Sequence, residues 1–211
     1  MKALIIVDVQ NDFVDGGTLA VPGGTEIVPV INALQANGHY DYVVATQDLH
    51  PANHGSFADN HEGKLPGETV NLSGLDQILW PTHCVAKTAG ADFVDDLHQD
   101  NWDAIFPKGT DARIDSYSGF FDNGKLKATG LGKYLKENGV NEVHVVGLAT
   151  DYCVKFTALD AAELGFQTIL IQDACRGVNL QDGDVARAIT QMKENGVRIV
   201  DTGMLLKGAV V

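Results

Sequence analysis

The chain has 211 residues, of which 45% are hydrophobic, and its 15 basic and 28 acidic side chains give a net charge of −13. This length suits one domain, spanning residues 1–211, that can bury a core without disulfide or metal staples. The strong negative charge repels phosphate backbones and anionic lipids. We therefore expect neither nucleic acid nor a membrane surface as a partner.

The three cysteines, Cys84, Cys153 and Cys175, form no C-x-x-C pair and cannot all pair within the chain. A reducing, intracellular setting is the simplest interpretation. The N-terminal apolar run reaches Asp8 after five apolar residues, which is too short for the core of a signal peptide. No other apolar run is long enough to span a bilayer. We therefore expect a cytoplasmic protein.

Short apolar runs rich in β-branched residues recur along the chain, and they are continuous, as in strands that are covered on both faces. The predicted strands are residues 3–8, 41–48, 102–108, 142–147, 168–173 and 197–200. The predicted helices, each ending in glycine, are residues 25–38, 129–139, 150–165 and 183–196. Thr25 is the expected N-cap of the first helix and Gly38 its stop. This alternation predicts a parallel sheet with helices on both sides.

Residues 49–90 interrupt the alternation, because glycine, proline, asparagine and histidine occur there without a clear period. Long irregular segments inside compact domains more often serve a function than not. We therefore expect part of a functional site in this segment.

Reactive side chains follow several of the predicted strands. In open parallel sheets, ligands gather at the carboxyl ends of the strands. The first strand ends at Asp8, the second at Asp48 and the third at Lys108, while the fourth leads to Cys153. These four side chains are therefore predicted to share one edge of the sheet.

Asp8, Lys108 and Cys153 together have the composition of a nucleophilic site. A cysteine nucleophile needs a group that takes its proton and a cation that favours its ionised form. Cys153 also precedes a predicted helix, whose N-terminal partial charge favours a thiolate. Taken singly, Asp8 could cap a turn, Lys108 could be a solvated charge and Cys153 could be a packing residue. Their joint occurrence at strand ends favours catalysis.

Asp48 and His50 form a candidate metal site. They are two residues apart, so their side chains share a face if the strand continues. A carboxylate with an imidazole suits zinc, iron or manganese. Because no cysteine pair is present, an open site completed by waters fits better than a closed structural zinc site. Spacing alone leaves the remaining protein ligands open among His54, His61, Glu62 and His83.

Three aromatic residues near these segments, Phe13, Trp80 and Tyr117, could wall a pocket for a flat ring. Ordinary core packing is the alternative for each of them. The histidines without evident companions are expected to be surface or structural residues: His39, His98 and His144.

These motifs resemble the nicotinamidases, a group within the isochorismatase-like cysteine hydrolases. The D-x-H and W-P-x-H-C segments together distinguish nicotinamidases from relatives that lack a metal. The resemblance covers nearly the whole chain, and the segments that carry it are LIIVDVQNDFVDGGTLAVPGG (4–24), TQDLHPANHGSF (46–57), WPTHCV (80–85), KGTDARIDSYSGFFDN (108–123), GLATDYCVKFTALDAAELGF (147–166) and DACRGV (173–178).

The resemblance implies a three-layer α/β/α fold with a six-stranded parallel sheet. It implies hydrolysis of nicotinamide to nicotinate and ammonia in NAD salvage, with pyrazinamide as a further substrate. One divalent metal ion per chain is implied, with zinc expected first and iron or manganese as alternatives. The fourth protein ligand and the oligomeric state, a homo-oligomer included, stay open.

The resemblance also assigns roles to individual residues. It implies a catalytic triad, a set of metal ligands, a ring pocket and an oxyanion hole made of backbone N–H groups. The resemblance implies a cis peptide bond before Ala149. It also implies that Ser56 reaches the metal through a water and that His54 is not a metal ligand. The residues in these four roles are, in turn, Asp8, Lys108 and Cys153; Asp48, His50 and His83; Phe13, Trp80 and Tyr117; and Ala149 with Cys153.

Three other functions remain to be weighed. Another amide or vinyl-ether hydrolase of the same superfamily would act without a metal. A catalytically silent binding or assembly protein would have no use for three reactive groups at the triad positions. A cysteine redox protein is disfavoured, because no resolving cysteine lies close to Cys153 in the sequence.

Overall fold

The computed structural model describes residues 1–36 and 40–207. Within these ranges the strands are β1 (Lys2–Val7), β2 (Tyr42–Asp48), β3 (Thr69–Leu72), β4 (Leu75–Ile78), β5 (Ala104–Lys108), β6 (Glu142–Leu148), β7 (Gln167–Arg176) and β8 (Arg198–Val200). The α-helices are α1 (Val28–Ala36), α2 (Leu131–Glu137), α3 (Lys155–Glu163), α4 (Asp184–Glu194) and α5 (Thr202–Lys207).

Six of the strands in these ranges form one sheet in the order β5-β2-β1-β6-β7-β8, and each neighbouring pair is parallel. This confirms the predicted parallel sheet and its six strands. The central strand β1 is buried on both faces because its alternate side chains enter two different cores. Leu4 and Ile6 pack into one core, while Ile5 and Val7 pack into the other.

Helices cover both faces of the sheet, which confirms the three-layer α/β/α architecture. On one face, α1 contributes Ile31 and Leu34 to the core. On the other face, Leu135 of α2, Ala158 of α3 and Met192 of α4 join the second core. Burial of apolar surface on both faces is what fixes a parallel sheet between helices. No helix among the described residues has the length and apolarity needed to cross a bilayer.

The first predicted helix starts differently from the expectation. A 3₁₀ turn, Gly24–Ile27, precedes α1 and has Gly23 at its N-cap with φ +71°. Thr25 lies inside that turn, and its Oγ1 donates a hydrogen bond to Asp15 Oδ2 at 3.2 Å, so its predicted role as N-cap was wrong. The predicted stop Gly38 and the neighbouring His39 lie outside the described residues.

The irregular segment 49–90 contains a hairpin that the sequence analysis missed. Strands β3 and β4 pair antiparallel around Ser73 and Gly74, which have φ values of +53° and +89°. Two central residues with positive φ are typical of tight hairpin turns. The signal was weak because each strand has only four residues and most of their side chains are partly exposed.

The register of the sheet brings the predicted strand ends together. Val7 pairs with Thr46 on one side and with Gly147 on the other, and Asp48 pairs with Lys108. The ends of β5, β2, β1 and β6 therefore lie next to one another at one edge.

Candidate active site

Lys108 lies at the centre of a buried cluster at this edge. Its Nζ lies 2.8 Å from Asp8 Oδ2 and 2.9 Å from Asp48 Oδ1. The same atom lies 3.5 Å from Cys153 Sγ and donates a hydrogen bond to Ser116 O at 2.9 Å. The structure therefore brings Asp8, Lys108 and Cys153 together, although 145 positions of sequence separate the first from the last (153 − 8).

Asp8 is fully buried and follows directly after β1 with a φ of +48°. A positive φ is uncommon for a residue with a side chain, and such positions cluster at functional sites. Thr46 Oγ1 donates a hydrogen bond to Asp8 Oδ1 at 2.6 Å, which orients the carboxylate. The sequence analysis missed Thr46, because its contact with Asp8 joins two different strands.

The charges around Lys108 are set by burial and by ion pairing. Burial alone would lower the pKa of Lys108, but the carboxylates of Asp48 and Asp8 outweigh it and hold this pKa well above its usual range. Burial alone would raise the pKa of Asp48, but His50 and Lys108 hold it well below its usual range. The ammonium and the Asp48 carboxylate are therefore both charged near neutral pH.

Burial also governs the protonation of Cys153 and Asp8. Burial, aided by Asp8 and Asp48, raises the pKa of the Cys153 thiol well above its ordinary value, although Lys108 acts in the opposite direction. Burial also raises the pKa of Asp8. The resting sulfur is thus held as a thiol by burial, in opposition to the N-terminal partial charge of the helix and to Lys108. It lies beside a carboxylate that burial has made a stronger base.

Cys153 sits on a tight turn between β6 and α3. Residues Thr150–Val154 form a π-helical turn, and the Leu148–Ala149 peptide bond before it is cis, as the resemblance implied. Single π-helical turns occur frequently at functional sites. Ala149, Tyr152 and Cys153 all face the same cavity.

Asp48, His50 and His83 form a buried cluster next to Lys108. Asp48 Oδ2 lies 3.0 Å from His50 Nε2 and 3.4 Å from His83 Nε2. A possible ligand atom of each residue lies within 4.8 Å of those of the other two. A carboxylate oxygen with two imidazole nitrogens is a donor set that zinc, iron and manganese accept.

The outer contacts of the two histidines fit a metal ion. His50 Nδ1 lies 2.8 Å from Gly109 O, and His83 Nδ1 lies 2.7 Å from Pro81 O. A carbonyl oxygen only accepts, so each Nδ1 carries a proton, and Nε2 is the nitrogen that each ring turns towards Asp48 and could offer to a metal ion. Burial alone would lower the pKa of His50, but Asp48 raises it, so this carboxylate attracts positive charge at Nε2. A divalent cation would satisfy all three groups.

The other candidate ligands lie elsewhere or have other contacts. His54 is buried, and its Nδ1 lies 2.7 Å from Ser56 Oγ. A second group of possible ligand atoms joins His54 to His50 and Asp115. His61 belongs to neither group of possible ligands in the described ranges, and its Nε2 donates a hydrogen bond to Gly55 O at 2.8 Å. Glu62 is exposed to solvent and belongs to neither group found in the described ranges.

A cavity opens beside the sulfur, and its lining of apolar and aromatic side chains with a few polar groups is typical of small-molecule sites. Phe13, Trp80 and Tyr117, the three predicted ring-pocket residues, line it together with Cys153 and His83. The indole Nε1 of Trp80 donates a hydrogen bond to the Tyr117 hydroxyl at 3.0 Å, which fixes the two side chains against each other.

Further residues line this cavity that the sequence analysis did not single out. They lie within the motif segments and comprise three aliphatic residues, one tyrosine and one buried carboxylate, and no spacing separates them from ordinary core positions. These residues are Leu19, Val21, Asp115, Tyr152 and Val178.

Comparisons with known proteins agree with this arrangement. The isochorismatase domain family matches residues 2–204. The nicotinamidase of Escherichia coli is 48% identical over 202 residues, which cover 94% of this chain and 93% of that protein. A solved structure named as a nicotinamidase and pyrazinamidase of Acinetobacter baumanii superposes with a TM-score of 0.92 at 48% identity, covering 97% of both chains.

A solved pyrazinamidase of Pyrococcus horikoshii in complex with zinc superposes with a TM-score of 0.76 at 39% identity. The match covers 95% of this chain and 98% of that one. Family match, sequence identity and fold agree over nearly the whole length. The chain therefore belongs to the isochorismatase family and, within it, to the nicotinamidases.

Proposed function

We propose that this protein hydrolyses the carboxamide of nicotinamide to nicotinate and ammonia, as a step of NAD salvage, and that it also accepts pyrazinamide. The observation that carries the proposal is the convergence of Cys153, Asp8 and Lys108 beside a group of possible metal ligands, at a cavity that Cys153 and three aromatic side chains line. The names of the similar proteins support the substrate. We propose that residues 1–211 act as one domain.

In the first half of the reaction, Asp8 takes the thiol proton while the sulfur of Cys153 attacks the carboxamide carbon. The raised pKa of Asp8 suits a base that must hold this proton, and Lys108 stabilises the negative charge that passes between them. The backbone N–H groups of Ala149 and Cys153 are proposed to stabilise the developing oxyanion.

In the second half, Asp8 returns its proton to the departing nitrogen, the C–N bond breaks, and ammonia leaves a thioester on Cys153. Asp8 then takes a proton from water, whose oxygen attacks the thioester carbon. The C–S bond breaks, the sulfur recovers a proton and nicotinate is released. Because one carboxylate serves both halves, its proton is recycled without a second base.

Asp48, His50 and His83 are proposed to hold the divalent metal ion, and the zinc of the Pyrococcus horikoshii relative supports zinc. When bound, the ion would supply a Lewis-acid contact for the ring nitrogen of the substrate. Phe13, Trp80 and Tyr117 hold the flat ring from its sides. A small rigid substrate that is held at its ring has few orientations left, so its carboxamide carbon is directed towards the sulfur of Cys153.

The proposal is tested by measuring ammonia release from nicotinamide, with and without a chelator, together with elemental analysis of the purified protein. We expect turnover that falls on chelation and returns with zinc. A metal-independent hydrolase of the same superfamily would keep its activity in chelator, and a silent binding protein would release no ammonia.

A cytoplasmic location is part of the proposal, supported by three cysteines that are free in the described structure.

A further inference from the structure

The DACRGV motif leads into a short segment that borders the catalytic cavity. Residues 177–179, here called the wall segment, follow the end of β7 and precede α4. Val178 in this segment lines the cavity together with Cys153, Ala149 and Tyr152. The proposed reaction gives the wall segment no role, although it forms part of the space that the substrate must occupy.

Asp151 binds the wall segment by two hydrogen bonds. The N–H of Val178 donates to Asp151 Oδ1 at 2.9 Å, and the N–H of Asn179 donates to Oδ2 at 2.7 Å. The Asp151 side chain is buried, with only 3% of the residue exposed. Hydrogen bonds from backbone N–H groups to a carboxylate are among the stronger ones in proteins, so this contact holds the segment firmly.

The backbone of the wall segment fits closely against its support. A Cβ atom at Gly177 would lie 3.0 Å from Asp151 Oδ1 and only 2.2 Å from Val185 Cγ2, so a side chain there would force the wall segment or these neighbours to move. Asn179 has a φ of +54°, and its Oδ1 accepts a hydrogen bond from the N–H of Val185 at 3.3 Å near the start of α4. The segment is therefore held at both of its ends.

Asp151 belongs to the same π-helical turn as Cys153. The same turn therefore holds two parts of the cavity. It carries Cys153 itself, and through the side chain of Asp151 it also holds the wall segment. We propose that Asp151 is a positioning residue that sets the distance from the sulfur to the wall segment, and that Val178 is the specificity-determining side chain held there. This inference rests on the proposed function, since its substrate is a ring carboxamide.

The test compares Asp151→Asn with the wild type on nicotinamide and on nicotinamides that carry one ring methyl group at C4, C5 or C6. The Asn amide offers one acceptor but turns N–H groups towards the other backbone N–H. We expect KM for nicotinamide to rise about tenfold with kcat reduced less than threefold. We also expect kcat/KM for at least one methylated ring to gain about tenfold relative to nicotinamide, the usual scale for one methyl group in a pocket.

Two readouts separate positioning from a general structural role. The rate of Cys153 alkylation by iodoacetamide and the metal content should stay within about twofold of the wild type, because the sulfur and the proposed metal ligands keep their own contacts when the wall segment moves. Asp160→Asn is the matched control, since Asp160 is a buried carboxylate of α3 that pairs with Lys125 at 3.0 Å. It should change neither KM nor selectivity.

Val178→Ala should relax selectivity in the same direction while leaving both Asp151 contacts intact. If Asp151→Asn does not fold, Gly177→Ala replaces it, because its Cβ would displace the wall segment from Asp151. Unchanged KM and selectivity in these variants would overturn the inference, as would a loss of kcat and alkylation with KM unchanged. A wild type that releases no ammonia from nicotinamide would instead refute the proposed function.

Discussion

Gln10 holds the backbone of Asp48 at both of its polar groups. Its Oε1 accepts a hydrogen bond from the Asp48 N–H at 2.8 Å, and its Nε2 donates to the Asp48 carbonyl oxygen at 2.8 Å. Nε2 also donates to Ala91 O at 2.8 Å. This buried amide therefore fixes the residue that pairs with Lys108 and that faces both histidines of the proposed metal site.

We predict that Gln10→Glu lowers zinc affinity by about 10- to 100-fold, the usual effect of losing an outer contact of a ligand. The carboxylate keeps one acceptor but cannot donate to the two carbonyl groups. Competition with a chromophoric chelator measures the affinity. Gln47→Glu is the control, since the Gln47 side chain donates to the same Ala91 O at 2.9 Å, whereas Gln10 also bonds the Asp48 backbone. Equal affinities in wild type and Gln10→Glu would contradict the prediction.

The separate roles proposed for the sulfur and the metal predict that one variant loses turnover but keeps the metal, and that another loses the metal but keeps a reactive sulfur. Cys153→Ala should lower kcat by about 10⁴-fold or more, as removal of a nucleophile does, while the bound metal stays. His50→Ala should lose the metal while Cys153 still reacts with iodoacetamide. Ammonia release, elemental analysis and alkylation are measured on the same preparations. Substantial activity in Cys153→Ala would mean that another group is the nucleophile.

Lys108→Met should unfold more easily, because it leaves the buried carboxylates of Asp8 and Asp48 without their cation. Removing one partner of a buried ion pair costs about 3–5 kcal/mol of unfolding free energy. Urea titration in the presence of a chelator measures it. Lys133→Met is the control: the Lys133 side chain is 77% exposed, and we expect its change to be within about 0.5 kcal/mol. Similar losses in both variants would argue against a charged cluster.

His144 predicts a pH dependence of stability. It is buried between Tyr40 OH at 3.0 Å and Glu142 Oε1 at 3.0 Å. Burial lowers the pKa of His144, with Lys2 and Arg198 acting in the same direction and Glu142 opposing. The folded-state pKa therefore lies below the unfolded value of about 6.5, so the unfolded chain binds more protons between them.

The stability that the depressed pKa of His144 contributes is complete above about pH 6.5, and it is lost as the pH falls towards the folded-state pKa. The slope from this one group is at most about 1.4 kcal/mol per pH unit. Urea titrations at several pH values should show a steeper acid-side loss in the wild type than in His144→Gln. His98→Gln, at an exposed position, should follow the wild type. Parallel curves for all three proteins would refute the prediction.

The residues at the strand ends were the most predictable part of the site. Continuous apolar runs mark buried parallel strands, and parallel strands end at one edge, so Asp8, Asp48 and Lys108 could be placed together before any distance was known. Cys153 could be placed at a strand-to-helix junction for the same reason. Their roles in catalysis stay predictions until the variants are measured.

The supporting residues were not predictable. Thr46 and Gln10 make their contacts across 38 positions of sequence, and Asp151 reaches the wall segment across 27 and 28. A threonine, a glutamine and an aspartate at such positions look like any others in a sequence. The protonation of Cys153 was not predictable for a related reason. The helix N-terminus, which favours a thiolate, is visible in the sequence, but the burial that raises the pKa of Cys153 is not.

The sequence by itself determined the alternation of buried strands and helices and the types of side chain that follow each strand, because both depend on local patterns of apolar and polar residues. Spacing in the sequence left the third companion of Asp48 and His50 open, although the family resemblance implied His83. The tertiary structure brings His83, rather than His61 or Glu62, beside them, and it alone decided the shape of the cavity. Those outcomes depend on distances and on desolvation, which arise when segments far apart in the chain pack together.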